Sequence, residues 1–227
     1  MNNKIILIEG TDCTGKQTQA ELLLKRLLQD NIMVHKAGFP MYDTPTGKII
    51  AGPYLGKEKF GESYFLEGAT NVNCKVAGLF YAADRYYNID KLNNYLKSGH
   101  LILDRYVESN MAHQACKEPD KNKRYNLYKW FEKLEYGLLK LPKPDIKILL
   151  YLPRKLALSL KNNRTEKADS HERDENYLIM AEKSYLELAK LKKFKIINCV
   201  SNNKIKSINE ISDEIYNYVI MKLRRKL

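Results

Sequence analysis

The feature that most constrains the fold is a glycine-bearing turn between an apolar run and an amphipathic segment. The run Ile5–Ile8 is wholly apolar and of strand length, which is typical of a strand buried in a parallel sheet. After the turn, apolar residues recur at helical spacing from Ala20 to Leu28. The turn has the glycine, four-residue, glycine–lysine pattern of a phosphate-binding loop, Gly10-Thr11-Asp12-Cys13-Thr14-Gly15-Lys16.

This loop predicts a nucleotide site because its glycines let successive backbone N–H groups curl around a phosphate. The following helix adds its N-terminal dipole, and Lys16 can reach the outer phosphates. One position departs from the pattern: Gln17 stands where a Ser or Thr usually supplies a hydroxyl to Mg²⁺. We expect ATP to be bound by the loop and the two residues after it: Gly10, Thr11, Asp12, Cys13, Thr14, Gly15, Lys16, Gln17 and Thr18.

Strand-like and helix-like patterns alternate along the rest of the chain. Further strands are predicted over 34–37, 101–104, 146–151 and 194–200. Helical spacing fills the segments 66–97, 107–117, 122–140, 154–162, 173–191 and 206–224. This alternation predicts an α/β fold, a doubly wound five-stranded parallel sheet within a single domain over 1–227. A polar segment over 162–174 is interpreted either as a solvated loop or as a mobile lid.

Composition narrows the class of protein without naming a partner. The chain has 39 Lys and Arg against 27 Asp and Glu, a formal charge of +12 that would suit nucleic acid, an anionic membrane or acidic substrates. Its hydrophobic content of 44% excludes disorder, and four cysteines among 227 residues are too few for a disulfide scaffold. Four cysteines without a Cys-x-x-Cys pair, and no apolar run near 18 residues, predict a reduced, cytoplasmic protein without a membrane partner.

Other segments carry a family resemblance. Asp104-Arg105-Tyr106 closes a predicted strand and is followed by Ser109 and Gln114, while Ala82-Ala83-Asp84-Arg85 and Phe39-Pro40-Met41-Tyr42 occur upstream. Together with the phosphate loop, these motifs resemble the thymidylate kinases, in order from residue 5 to about 190. The resemblance implies a P-loop nucleoside triphosphate hydrolase-like fold with a nucleoside-monophosphate region and a lid. It also implies Mg²⁺-dependent phosphoryl transfer from ATP to dTMP, and a homodimer.

The resemblance implies an acceptor site. Arg105 would fork onto the acceptor phosphate, Arg85 would hydrogen-bond the thymine, and Tyr81 would stack on it. Core packing is the alternative for Tyr81 and Phe39. His113 stands where a Tyr that tests the sugar 2′ position is common, and an ordinary, partly exposed helix residue is the alternative there. The residues expected to bind substrate are Asp12, Phe39, Tyr42, Tyr81, Arg85, Arg105, Asn110, His113 and Gln114.

The same resemblance assigns the catalytic and metal groups. Lys16, Arg105, Asp12 and a lid cation are expected to be catalytic, with Arg164 preferred over Lys167 and Arg173. Mg²⁺ would be held by Asp12, Asp169 and Glu172, which would supply the ligand that Gln17 does not.

Three other functions remain open from the residues alone. A kinase for another pyrimidine nucleotide would differ at His113 or Tyr81. A nucleotide-binding regulator without turnover is favoured by Gln17 but opposed by Lys16 and Arg105. A nucleic-acid binder is supported only by the charge, because the sequence has no recognisable nucleic-acid-reading module.

Overall fold

A computed structural model describes residues 3–11, 14–161 and 174–224, with the side chains of 158–161 left outside the description. Its main strands are β1 (Ile5–Gly10), β2 (Val34–Gly38), β3 (His100–Asp104), β4 (Ile146–Tyr151) and β5 (Lys195–Asn198). A short antiparallel hairpin follows, formed by β6 (Val200–Ser201) and β7 (Lys204–Ile205).

Helices alternate with these strands. They are α1 (Lys16–Gln29), α2 (Pro45–Ile49), α3 (Cys74–Tyr87), α4 (Ile89–Ser98), α5 (Val107–Ala115), α6 (Lys121–Glu132), α7 (Arg154–Lys161), α8 (Glu175–Leu191) and α9 (Ile208–Arg224). Helix α2 continues into a π-helical turn at Ile50–Tyr54, a 3₁₀ turn follows at Glu58–Phe60, and α6 continues into a π-helical turn at Lys133–Leu138.

The five main strands form one parallel sheet in the order β2-β3-β1-β4-β5. Strand β1 is central, and its Ile8 lies opposite Asp104 of β3, while Gly10 lies opposite Leu150 of β4. This confirms the predicted five-stranded parallel α/β fold. The register brings the phosphate loop after β1 and Arg105 after β3 to the same edge of the sheet, where ligands of open α/β sheets bind.

The core lies on both faces of the sheet because alternate residues of each strand point to opposite sides. Ile5 and Leu7 of β1 pack in one buried cluster with residues of α5, α6 and α8. Ile6 and Ile8 pack in the other cluster with residues of α1 and α9. Each wholly apolar run therefore serves two layers of helices, which is why these strands show no polar alternation.

The prediction of helix over 66–97 was wrong in its first part. Helix α3 begins only after Asn73, whose side chain accepts hydrogen bonds from the N–H groups of Lys75 and Val76 at 2.9 and 3.4 Å. The preceding apolar residues Ala69 and Val72 are buried in a separate small cluster around Tyr54. Their spacing therefore reflects packing of a loop.

Two further findings concern membrane-spanning helices and cysteines in the described part of the chain. Among the described residues, no helix combines the length and apolarity needed to cross a membrane. The cysteines in this part of the chain, Cys74, Cys116 and Cys199, are free thiols.

Candidate active site

The phosphate loop is shaped by its two glycines. A Cβ atom at Gly10 would lie 2.7 Å from both the Leu150 carbonyl oxygen and Thr14 Oγ1, so only glycine fits there. Gly15 has φ of 75°, a left-handed conformation that glycine adopts readily. Within the loop, Thr14 Oγ1 and Lys16 Nζ donate to the Thr11 carbonyl oxygen at 2.8 and 2.7 Å. The loop thus keeps Lys16 folded over its own backbone.

Helix α1 begins directly at Lys16, and its N-cap residue Gly15 has no side chain that could accept hydrogen bonds from the first turn. The first N–H groups of a helix have no intrahelical acceptor, so a phosphate placed there would satisfy them. The side chains of Gln17 and Thr18 are exposed beside this end. Asp12 and Cys13 lie outside the described residues.

A buried carboxylate at the end of β1 joins the phosphate loop to the turn after β3. Glu9 is fully buried and accepts hydrogen bonds from the backbone N–H groups of Tyr106 and Ser109, each at 3.0 Å. It also accepts from Ser109 Oγ at 2.6 Å. These N–H groups belong to the first turn of α5, so Glu9 caps that helix from a neighbouring strand.

Arg105 occupies the turn that Glu9 holds. Its φ of 64° is rare for a residue other than glycine, and such conformations cluster at functional sites. Its Nη1 atom lies 3.2 Å from His113 Nε2, 3.2 Å from Tyr185 OH and 3.5 Å from Ser109 Oγ. The side chain is partly exposed, so its guanidinium is oriented by these groups and accessible to a ligand.

Two buried carboxyl groups near this turn have perturbed acidity. Burial raises the pKa of Glu9, while the charge of Arg105 and the hydrogen bond from Ser109 act in the opposite direction. Burial also raises the pKa of Glu108 to about 7, with the neighbouring Glu9 acting in the same direction. Both oxygens of Glu108 accept from Tyr136 OH, at 3.0 and 2.9 Å.

The second arginine, Arg85, lies on α3 and is 2% exposed. Its Nε and Nη2 atoms donate to the two oxygens of Glu135 at 2.5 and 2.9 Å, a bidentate ion pair. Glu135 Oε1 also accepts from Asn110 Nδ2 at 3.0 Å. Burial opposes the charge, but Glu135 raises the pKa of Arg85, so the guanidinium stays charged. Arg85 and Asn110 are therefore held together by hydrogen bonds to the same carboxylate, that of Glu135.

The loop after β2 is fastened to α3 by Asp84. Its carboxylate accepts from the Met41 N–H at 2.9 Å and from Thr46 Oγ1 at 2.7 Å. A cis peptide bond joins Phe39 and Pro40 in this loop. Asp84 thus fixes the segment that carries Phe39 and Tyr42 beside the helix that carries Arg85.

The three aromatic residues expected at the acceptor site differ in burial. Phe39 is 5% exposed and packs on Tyr106 with ring centroids 5.8 Å apart, within the main core cluster. Tyr42 and Tyr81 are partly buried, and Tyr81 packs edge-on against Tyr54 at 5.9 Å. Phe39 is thus a core residue in this structure, while Tyr42 and Tyr81 present part of their rings outward.

Several buried polar atoms near this region have no hydrogen-bond partner among the described residues. They include both amide atoms of Gln114, Oδ1 of Asn110 and Oδ1 of Asp104. Buried polar groups are nearly always paired, so such atoms mark positions where a ligand or water is expected. Asn110 and Gln114 lie four residues apart on α5, so these amide atoms, which have no partner among the described residues, lie on one face of the helix.

The expected lid and metal residues fall outside the described residues: Arg164, Lys167, Asp169, Glu172 and Arg173, together with Asp12. Within 3–11, 14–161 and 174–224, no group of three or more His, Cys, Asp or Glu side chains could hold a metal ion. The orphaned Asp104 Oδ1 at the carboxyl end of β3 is nevertheless an oxygen of the kind that Mg²⁺ prefers.

Sequence reasoning missed several residues that shape the site. Glu9 was detectable as a lone carboxylate ending an apolar strand. Glu135, Tyr177 and Tyr185 carry no local signal, because they reach Arg85, His113 and Arg105 only through the tertiary fold.

Comparison with known proteins then identifies the family. The family model described as Thymidylate kinase matches residues 8–215. The chain belongs to the thymidylate kinase family. The "Probable thymidylate kinase" of Methanocaldococcus jannaschii is 29% identical over 219 residues, which cover 96% of this chain and 97% of that protein. The one of Sulfolobus acidocaldarius is 31% identical over 219 residues, with 95% of each chain covered.

A solved structure supports the architecture. The thymidylate kinase from Candida albicans matches 98% of this chain and 93% of its own, with a TM-score of 0.73 and 23% identity. At this identity the match shows the fold, and it agrees with the P-loop class expected from the phosphate loop.

Proposed function

We propose that this thymidylate kinase family member transfers the γ-phosphate of ATP to dTMP, giving ADP and dTDP, with Mg²⁺. The observation that carries the proposal is the register of β1 against β3. Lys16 follows β1 and Arg105 follows β3, so this register brings both residues to one edge of the sheet. Two cationic groups on adjacent strand ends suit two phosphorylated ligands that must meet end to end.

The donor phosphates are expected at the loop and the start of α1. On binding, Lys16 Nζ would exchange the Thr11 carbonyl for phosphate oxygens, and the N–H groups after Gly15 would gain an acceptor. Thr14 Oγ1 already donates across the loop to the Thr11 carbonyl oxygen at 2.8 Å.

The acceptor phosphate is expected at Arg105, whose guanidinium can donate in a bidentate manner. No general base is required, because the attacking phosphate oxygen of dTMP is already anionic. Catalysis then consists of positioning the two phosphates and neutralising charge on the moving group. Asp12 and Arg164 remain predicted contributors to that neutralisation and positioning.

The nucleoside of the acceptor is expected between α3 and α5. Gln114 and Asn110 bring buried amide atoms without partners among the described residues, which suits the hydrogen-bonding edge of a base. Tyr81 offers a partly buried ring for stacking. The fixed Arg85–Glu135 pair would orient Asn110 and present the remaining Arg85 donors to the base.

The metal site is proposed at the carboxyl end of β3. Asp104 Oδ1 is buried and unpaired among the described residues, which fits a hard cation such as Mg²⁺ directly or through a bound water. Asp12, Asp169 and Glu172 remain the further predicted ligands. When bound, Mg²⁺ would neutralise charge on the donor phosphates.

The expected assembly is a cytoplasmic homodimer without nucleic-acid or membrane partners. Helix α3 exposes Val76 (44%), Leu79 (48%), Tyr86 (51%) and Tyr87 (58%), an apolar set suited to a second copy. Lys192 and Lys206 are paired at the surface with Glu132 and Glu214. The excess positive charge includes Lys16 and Arg105, for which the phosphates of the two substrates are the expected partners.

A panel of acceptors tests the proposal. ADP release from ATP would be measured with dTMP, dUMP, UMP, dCMP and dGMP, each with and without Mg²⁺, and with Lys16→Ala as the inactive control. We expect the highest kcat/KM with dTMP and none without metal. Preference for another pyrimidine monophosphate would show that the protein is a kinase for that nucleotide. No turnover with any acceptor would favour a nucleotide-binding regulator.

A further inference from the structure

The geometry around Arg105 contains a group that the transfer reaction itself does not require. His113 lies two turns along α5 from the start of the helix and is partly exposed. Its Nε2 atom is 3.2 Å from Arg105 Nη1. A cationic side chain and an imidazole at this distance are compatible only if the ring is neutral and aims a lone pair at the guanidinium.

The hydrogen-bond roles follow from the donor inventory. Arginine has donors but no acceptor, so His113 Nε2 must accept and the ring proton must sit on Nδ1. His113 Nδ1 lies 3.0 Å from Tyr177 OH. That hydroxyl donates its own proton to the His113 carbonyl oxygen at 3.1 Å, so toward His113 Nδ1 its oxygen acts as the acceptor. One arrangement of protons satisfies all three contacts.

Tyr177 is itself held in place. It is 6% exposed, packs in a buried cluster with Cys116 and Ala181, and its backbone N–H donates to the Asp174 side chain at 3.0 Å. Its ring stacks on that of His113 with centroids 5.9 Å apart and an interplanar angle of 22°. Helix α8 therefore fixes the imidazole, and the imidazole meets Arg105.

We propose that His113 and Tyr177 are positioning residues that orient the Arg105 guanidinium toward the acceptor phosphate. Tyr177 selects the Nδ1-protonated tautomer, and the Nε2 lone pair of that tautomer orients Arg105. This inference rests on the proposed role of Arg105 and goes beyond it by naming what sets the arginine's direction. It also assigns the imidazole a role that requires it to be unprotonated.

The proposal is tested by dTMP binding in calorimetry alongside steady-state kinetics. His113→Phe keeps a ring but has no acceptor, and we expect dTMP affinity and kcat/KM to fall about tenfold with the KM for ATP unchanged. His113→Gln keeps an acceptor oxygen and should restore both to within about threefold. His35→Gln is the matched control, since His35 lies near the start of β2, away from the carboxyl ends of the strands, and contacts Ser98 at the end of α4.

The coupling between the two residues has its own signature. Tyr177→Phe should weaken dTMP binding about threefold in the wild-type background and have no effect in the His113→Phe background. Additive losses would show that Tyr177 does not act through His113 and would overturn the proposed pair.

The pH dependence supplies a readout that a merely structural role would not move. Among the described residues, those around His113 are Arg105 after β3, Tyr177 and Tyr185 of α8, and Cys116 directly after α5, with Glu9 of β1 connected through Ser109 and Tyr185. Protonated His113 has two donors and would repel Arg105. Between pH 8 and 5.5, kcat/KM should therefore fall more steeply for wild type than for His113→Gln. Titration of the dTMP phosphate affects both proteins equally, so the difference between them reports on His113.

The outcomes separate this inference from the proposed function. Wild type that binds dTMP with the His113 dependence above but releases no ADP would refute the kinase activity and keep the inference. Wild type that turns over dTMP while His113→Phe binds and reacts normally would refute the inference alone. Wild type that fails to bind dTMP would refute both.

Discussion

The two arginines proposed for the acceptor site are held in opposite ways. Arg85 is 2% exposed and lies on both oxygens of Glu135, so its charge is matched inside the protein. Arg105 is partly exposed, has a left-handed backbone, and contacts two hydroxyls and an imidazole. The first is built as part of the interior, while the second is oriented but accessible.

This difference predicts that the two regions respond to mutation in different observables. A buried ion pair is costly to break, because removal of one partner leaves a buried charge. Hydrogen bonds that a partly exposed guanidinium donates to neutral groups contribute less to stability but set its direction. Changes around Arg85 should therefore appear mainly in unfolding, and changes at Arg105 mainly in turnover.

The largest expected effect is at the buried pair. Glu135→Ala should lower the free energy of unfolding by about 3–5 kcal/mol, because Arg85 is left uncompensated in the interior. Urea denaturation would measure the change. Glu132→Ala, three residues earlier and paired with Lys192 at the surface, is the control and should cost under about 1 kcal/mol.

A second variant keeps this test decisive. Arg85→Met combined with Glu135→Leu removes both charges and should recover most of the lost stability, since apolar replacements of buried pairs are often tolerated. If Glu135→Ala were as stable as wild type, the inference that Arg85 is a structural residue compensated by Glu135 would be wrong.

The next effect is on turnover. Arg105→Ala should reduce kcat/KM for dTMP by about 10²–10³-fold, as expected for a lost charge-assisted donor at the transferring group. Arg105→Lys should recover only part, because an ammonium cannot fork onto phosphate. Arg26→Ala, at the far end of α1, is the matched control. Activity within threefold of wild type in Arg105→Ala would remove this residue from the reaction.

The smallest effect concerns Glu108, a buried carboxyl group in the first turn of α5 that accepts hydrogen bonds from Tyr136. Its pKa is raised from 4.5 to about 7 by burial, so the folded state holds a proton that the unfolded state has released between these values. The unfolding free energy should therefore fall as pH rises through that window, by roughly 2–3 kcal/mol from this group.

Glu108→Gln isolates that contribution because the amide resembles the protonated carboxyl. Its stability relative to wild type should increase from pH 4.5 to 7.5, as measured by chemical denaturation across the range. The exposed Glu62→Gln is the matched control for the loss of a carboxylate at the surface. A pH-independent difference for Glu108→Gln would mean that burial does not perturb this carboxyl.

The sequence was sufficient for the sheet because its signals are local. The apolar runs ending at Asp104 and Tyr151, and the glycine spacing at Gly10 and Gly15, each lie within a few residues and match the observed strands and loop. The boundary at Asn73 was not predicted, because apolar loop residues mimic helical spacing.

Side-chain partners in the site could be predicted only where a motif carried them. Arg85 and Glu135 are 50 residues apart and belong to different helical segments, so no pattern joins them. The contact of Tyr177 with His113 spans 64 residues and depends on how α8 packs on α5. These distances are set by packing of whole elements, which residue spacing does not encode.

The buried Glu9 has a consequence for the entropy of the reaction. The same strand that ends in the phosphate loop uses its last carboxylate to hold the turn bearing Arg105. The separation between the loop proposed to bind the donor and the arginine proposed to bind the acceptor is thus set during folding, before either nucleotide binds. Under the proposed function, each substrate would lose its freedom of translation and rotation against a prealigned frame, and alignment of the reacting phosphates would not have to be achieved anew in every turnover.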